Sequence, residues 1–140
     1  MVLGRDYRHS ANPAEKPVEG IFCDCYGTLF GHGYEDDKTL VEYLNAQYAA
    51  GKNVVIFSTA PRDVRAKVQT LGLHPDLAAR IDDKRFYDGD LLEVMIDDDP
   101  AHFLRAQKTW HPKKPDFRQH MKEFLAANGP KAPETVPKPL

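Results

Sequence analysis

The stretch "GIFCDCYGTLF", residues 20–30, sets one aspartate between two cysteines and ends in a Gly-Thr turn. Its first half belongs to "VEGIFCD", residues 18–24, a near-continuous apolar run. Such a run reads as a strand buried on both faces, as in a parallel sheet. Cys23 and Cys25 stand two apart, so in a strand they share a face. They are the only cysteines, whereas a tetrahedral zinc site needs four ligands, and no spaced Cys/His partner follows them. The thiols therefore read as small buried residues, and Asp24 as the group that does chemistry.

Outward from this strand the pattern alternates. Residues 36–52 repeat Leu40, Val41, Leu44 and Tyr48 at helical spacing, with acids at the start and Gly51 at the end. "NVVIFST", residues 53–59, is a second β-branched strand, and residues 60–72 form a helix with Pro61 in its first turn. A short strand is expected over Lys84–Tyr87, then a turn at Asp88-Gly89 and a strand at 91–97, "LLEVMID". Helices are expected at 100–110, opened by Pro100, and at 115–128. The order β-α-β-α-β-β-α-α predicts an α/β layered fold with a mainly parallel sheet. Residues 1–17 read as a loose arm, 18–128 as one domain, and the Pro-rich 129–140 as a disordered tail.

With 140 residues, 41% of them hydrophobic and 29% charged, the chain suits one modest core. A net charge of −2 gives no footprint for nucleic acid or an anionic membrane. No apolar run approaches the ~20 residues of a membrane span, and no signal-type segment opens the chain. A reduced, cytoplasmic setting is the expectation.

Parallel α/β sheets carry their sites at the carboxyl ends of the strands. Here those ends are Asp24, then Ser58 and Thr59, then Asp97, Asp98 and Asp99, with Lys84 just upstream. A carboxylate can attack phosphorus and form an aspartyl-phosphate. Mg²⁺, a hard cation, prefers carboxylate and water oxygens. Hydroxyls and a lysine can hold the other phosphate oxygens.

In this order the residues resemble the haloacid dehalogenase superfamily, a group dominated by Mg²⁺-dependent phosphatases. "IFCDCYGTLF" is similar to its first motif, "VVIFS" to its second and "EVMIDDD" to its fourth, and Lys84 is the candidate for its lysine. The resemblance spans about residues 18–105. It implies a three-layer Rossmann-like sheet with the first strand central. It also implies Asp24 as nucleophile and metal ligand, the Tyr26 carbonyl as a second ligand, and Ser58 and Lys84 on the phosphoryl group. Asp98, with Asp97 beside it, would complete the metal site, the register among the three aspartates being open by one. Thr59 and Arg62 are the substrate-binding candidates.

Two departures matter. Tyr26 stands where the phosphatases carry their acid/base aspartate, and a phenol with a reference pKa of ~10 is a poor base at neutral pH. The implied activity is therefore phosphomonoester hydrolysis or, alternatively, binding of a phosphorylated ligand or partner protein by an impaired site. The second departure is length, because a single helix fills most of the segment between the first two motifs and leaves no room for a cap domain. Without a cap the site is open to a large substrate, or to cover by a second copy of the chain. Metal-free dehalogenation fits less well, because consecutive aspartates suit a metal better than a halide. His102 lies where a further acid often follows the fourth motif. Thr28 reads as a residue that bonds locally in the turn.

Overall fold

The computed structural model describes residues 15–31, 36–99 and 104–128. The expected arm up to residue 14, the Pro-rich tail, Pro100 and His102 lie outside them. Five strands form one parallel sheet: β1 Val18–Asp24, β2 Val54–Ser58, β3 Ile81–Asp83, β4 Leu91–Ile96 and β5 Arg105–Trp110. Their order is β3-β2-β1-β4-β5, which puts the "VEGIFCD" strand at the centre. This is a Rossmann-like α/β arrangement.

The helices are α1 Lys38–Ala49, α2 Pro61–Val68, α3 Pro75–Ala78 and α4 Pro115–Asn128. Asp37 caps α1 by accepting the Leu40 N–H at 3.1 Å, and also accepts from Arg118 at 2.7 Å, which ties α4 to the start of α1. Past the end of α1, Gly51 takes φ +96°, the conformation that residues with a Cβ avoid.

Two elements differ from the sequence reading. Residues 105–110, expected as helix, form the edge strand β5, from Arg105 opposite Leu91 to Trp110 opposite Ile96. Its polar side chains Gln107, Lys108 and Thr109 are exposed, so the strand has no apolar period to read. Without β5, the backbone groups of β4 would form an open edge. The short strand near Lys84 is in fact Ile81–Asp83, and Lys84–Tyr87 is a 3₁₀ turn opened by Asp83, whose carboxylate accepts the Arg85 N–H at 2.9 Å. The charges of "RIDDKR" hide the one core residue of that strand, Ile81.

The expectation of helices on both faces is not met among the described residues. Leu40, Val41, Val64, Val68, Leu77, Phe117 and Met121, from all four helices, join one cluster with Ile21, Cys23, Ile56, Ile81 and Ile96. The opposite face carries Phe22, Val55, Phe57, Leu92 and Met95, packed with Leu104, Tyr87 and Ala106, and no α-helical residue belongs to that cluster. Chain geometry accounts for this. The β1-α1-β2-α2-β3 crossovers run one way along the sheet, and right-handedness puts both helices on the same side. The crossovers to β4 and β5 run the other way, and their described parts are only the 3₁₀ turn and short connections. Among the described residues no helix is long and apolar enough to cross a membrane.

Candidate functional site

Asp24 ends β1 in register with Phe57, Ser58 ends β2, and Asp97 follows the last residue of β4. Because the strands are parallel, these residues share one edge of the sheet. The Lys84 side chain, 8% exposed, reaches in from the 3₁₀ turn. Its Nζ lies 2.6 Å from Asp97 Oδ2 and 3.0 Å from Asp24 Oδ1. It also stands 5.3 Å from the centre of the Phe57 ring.

Thr28 links the other pair of strand ends. Its Oγ1 lies 3.1 Å from both Asp24 Oδ2 and Asp98 Oδ1, and accepts the Asp98 N–H at 3.1 Å. One hydroxyl hydrogen can serve only one of these carboxylates at a time. Gly27, at φ +88°, makes the close approach possible, because a Cβ there would sit 2.6 Å from Asp98 Oδ2.

Three carboxylates and one ammonium leave two negative charges uncompensated. Burial, and then the neighbouring Asp97, push Asp24 up to about 6. Burial also raises Asp97, against its hydrogen bond from Lys84. Burial alone would lower Lys84, but its bond to Asp97 and the charge of Asp24 outweigh that and keep it cationic. One oxygen each from Asp24, Asp97 and Asp98 lies within 4.8 Å of the others. A cluster of oxygens alone, with an excess of two negative charges, fits a hard divalent cation such as Mg²⁺. It contains neither sulfur nor nitrogen donors.

Asp24, Lys84, Asp97 and Asp98 are thus brought together, while Asp99, outside the group, donates its N–H to Asp97 Oδ1 at 2.9 Å. Ser58 is buried, and its Oγ accepts the Ala60 N–H at 2.9 Å. Thr59 and Arg62 are exposed and line a cavity of about 490 Å³ whose walls include none of the clustered carboxylates or Lys84. The Tyr26 ring is 52% exposed and packs edge-on against Phe30, with centroids 5.9 Å apart. Sequence reasoning missed the reach of Thr28 across to Asp98, because a residue in a turn gives no sign of what a distant strand end will bring to it. It also missed Phe86, which lines the cavity and is 74% exposed.

Both thiols are free and fully buried. Burial pushes Cys25 up to about 12 and Cys23 well above its ordinary range, so neither is a thiolate at neutral pH. The chain matches no protein-family model, no curated protein and no solved structure.

Proposed function

We propose that the chain is a capless hydrolase of the haloacid dehalogenase type, acting on phosphomonoesters with Asp24 as nucleophile and Mg²⁺ as cofactor. One observation carries this reading: Lys84 joins Asp24 to Asp97 at 3.0 and 2.6 Å while Thr28 stands between Asp24 and Asp98. Three separate stretches of chain therefore meet around one carboxylate.

An Asp24 oxygen would bond to phosphorus as the bond from phosphorus to the alcohol oxygen breaks. The leaving oxygen departs with that electron pair and takes its proton from solvent water, no side chain being assigned as its acid. Water then displaces the carboxylate from phosphorus, releasing inorganic phosphate and restoring Asp24. Lys84 and the Ser58 hydroxyl would hold phosphoryl oxygens. Asp24, Asp97, Asp98 and the Tyr26 carbonyl would hold the Mg²⁺ ion, whose charge offsets the repulsion between nucleophile and phosphate. With a pKa of about 6, Asp24 is mostly ionised at pH 7, as a nucleophile must be.

The exposed Tyr26 ring favours a second reading, a domain that binds phosphorylated ligands or proteins without turnover. Phosphate release from a broad phosphomonoester panel, with and without Mg²⁺, tests both. Metal-dependent release that Asp24→Asn lowers by about 10³-fold or more is the expected result. Equal release by wild type and variant would overturn the hydrolase. No release from wild type, but new release from Tyr26→Asp, would favour the binding reading.

A further inference from the structure

The 3₁₀ turn Lys84–Tyr87 delivers one group, the Lys84 ammonium, to the carboxylate cluster. Side chains three residues apart eclipse one another in a 3₁₀ turn. Lys84 and Tyr87 are so related, and both turn towards the sheet, whereas Arg85 and Phe86 between them are exposed. The Tyr87 ring packs on Phe22, with centroids 5.1 Å apart, and on Phe57 at 6.1 Å. Its hydroxyl donates to Oδ2 of Asp82, a buried carboxylate that Arg80 also holds at 2.9 Å. Burial and the bond to Asp82 push Tyr87 up to about 12, so the hydroxyl stays a donor.

Asp82, Phe57 and Asp24 are in register across β3, β2 and β1, and the Lys84 Nζ stands 5.3 Å from the centre of the Phe57 ring. The bond at Asp82 and the ammonium at Asp24 therefore fix the two ends of one turn against one row of the sheet. Such a hold has a physical reason. Burial by itself disfavours the Lys84 ammonium, and a lysine carries its charge on a flexible four-carbon stem. A fixed turn limits where that stem can begin. A misplacement of about 1 Å near a reacting centre can cost about 10²-fold in rate. We propose that Tyr87 is a positioning residue for this site: through Asp82 and Phe57 it holds the turn that presents Lys84 to Asp24 and Asp97. The effect on rate rests on the phosphomonoester reading of Asp24; the hold on Lys84 does not.

The test is Tyr87→Phe, which keeps the ring on Phe22 and Phe57 and deletes the bond to Asp82. The first readout is acylation of Lys84 in the native chain by an amine reagent, followed by peptide mass spectrometry with the exposed Lys108 as internal reference. Labelling of Lys84 relative to Lys108 should rise about ten-fold, the scale of one hydrogen bond to a charged group. Cys23 and Cys25 should stay closed to a thiol reagent. The second readout is turnover of the best phosphomonoester with Mg²⁺, where kcat should fall about ten-fold. Added to Lys84→Met, Tyr87→Phe should change kcat by less than about two-fold, because a residue that acts through Lys84 then has nothing left to position. Unchanged labelling of Lys84 would overturn the proposal, as would an unchanged kcat or a ten-fold loss that persists in Lys84→Met. Labelling of the thiols along with Lys84 would overturn it too, since the hydroxyl would then support the fold as a whole. If wild type turns over no phosphomonoester, the hydrolase reading fails, and the labelling ratio alone decides whether Tyr87 holds Lys84.

Discussion

On the helix-covered face of the sheet, Ile81, Ile56, Cys23, Ile96 and Trp110 form one row across all five strands. On the opposite face the row one residue further on reads Asp82, Phe57 and Asp24, with Asp97 just past the end of β4. The two rows are one residue apart on every strand, yet one is apolar and the other ends in carboxylates. Burial acts on both in the same direction. It moves Cys25 from 9.0 to about 12, away from neutrality, and Asp24 from 3.8 to about 6, towards it. The same desolvation that silences a thiol leaves a carboxylate ionised at pH 7 but poorly compensated, and so receptive to a cation.

The largest break in that contrast comes from removing the cation the chain already supplies. Lys84→Met keeps the length of the side chain but leaves Asp24 and Asp97 facing each other without a shared ammonium. Loss of one partner from a buried ion pair costs about 3–5 kcal/mol. Urea unfolding at pH 7 in chelator should show a loss of that size. A loss under about 1 kcal/mol, the scale of an exposed pair, would mean that Lys84 is not holding the carboxylates together.

A smaller effect follows from the pH dependence of Asp24. The folded chain keeps a proton on this carboxyl up to about pH 6, and the unfolded chain only up to about 3.8. Between those values the folded state holds more protons, so this group's contribution to stability falls as pH rises, by about 1.4 kcal/mol per unit. Asp24→Asn lacks that term. In chelator, its stability relative to wild type should therefore climb by roughly 2–3 kcal/mol from pH 4 to pH 6, and then level off. An Asp24→Asn chain that gains stability while losing the proposed turnover would mark the carboxylate row as strained for function. A flat difference across this window would mean that Asp24 is not desolvated.

Much of this contrast was legible in the sequence because central parallel strands are apolar on both faces. "IFCD", "VVIFS" and "LLEVMI" announce themselves, and their last residues then name Asp24, Ser58 and the acidic run. The edges were not legible. β5 is half solvated and β3 contributes one core residue, so neither carries a period that separates strand from helix. The third layer was implied only by the family resemblance, and the returns to β4 and β5 show, where described, no α-helix. Lys84 was found for its charge rather than its element: it reaches the cluster from a 3₁₀ turn, not from the strand assigned to it. The link from Thr28 to Asp98 spans 70 residues and depends on Gly27 lacking a Cβ, which no local pattern encodes.

The apolar row provides the mildest test. Cys25 is fully buried and belongs to the helix-covered cluster. Cys25→Ala deletes one sulfur, with a transfer and cavity cost of about 1 kcal/mol. Phosphate release per folded molecule should not change, because the thiol stays protonated far above neutral pH. In the native wild type neither cysteine should react with a thiol reagent over hours, and both should react once the chain is unfolded in urea. Rapid native labelling, or turnover lost in Cys25→Ala at intact stability, would erase the difference between the rows. The chemistry of "CDC" would then belong to its thiols as well as its aspartate.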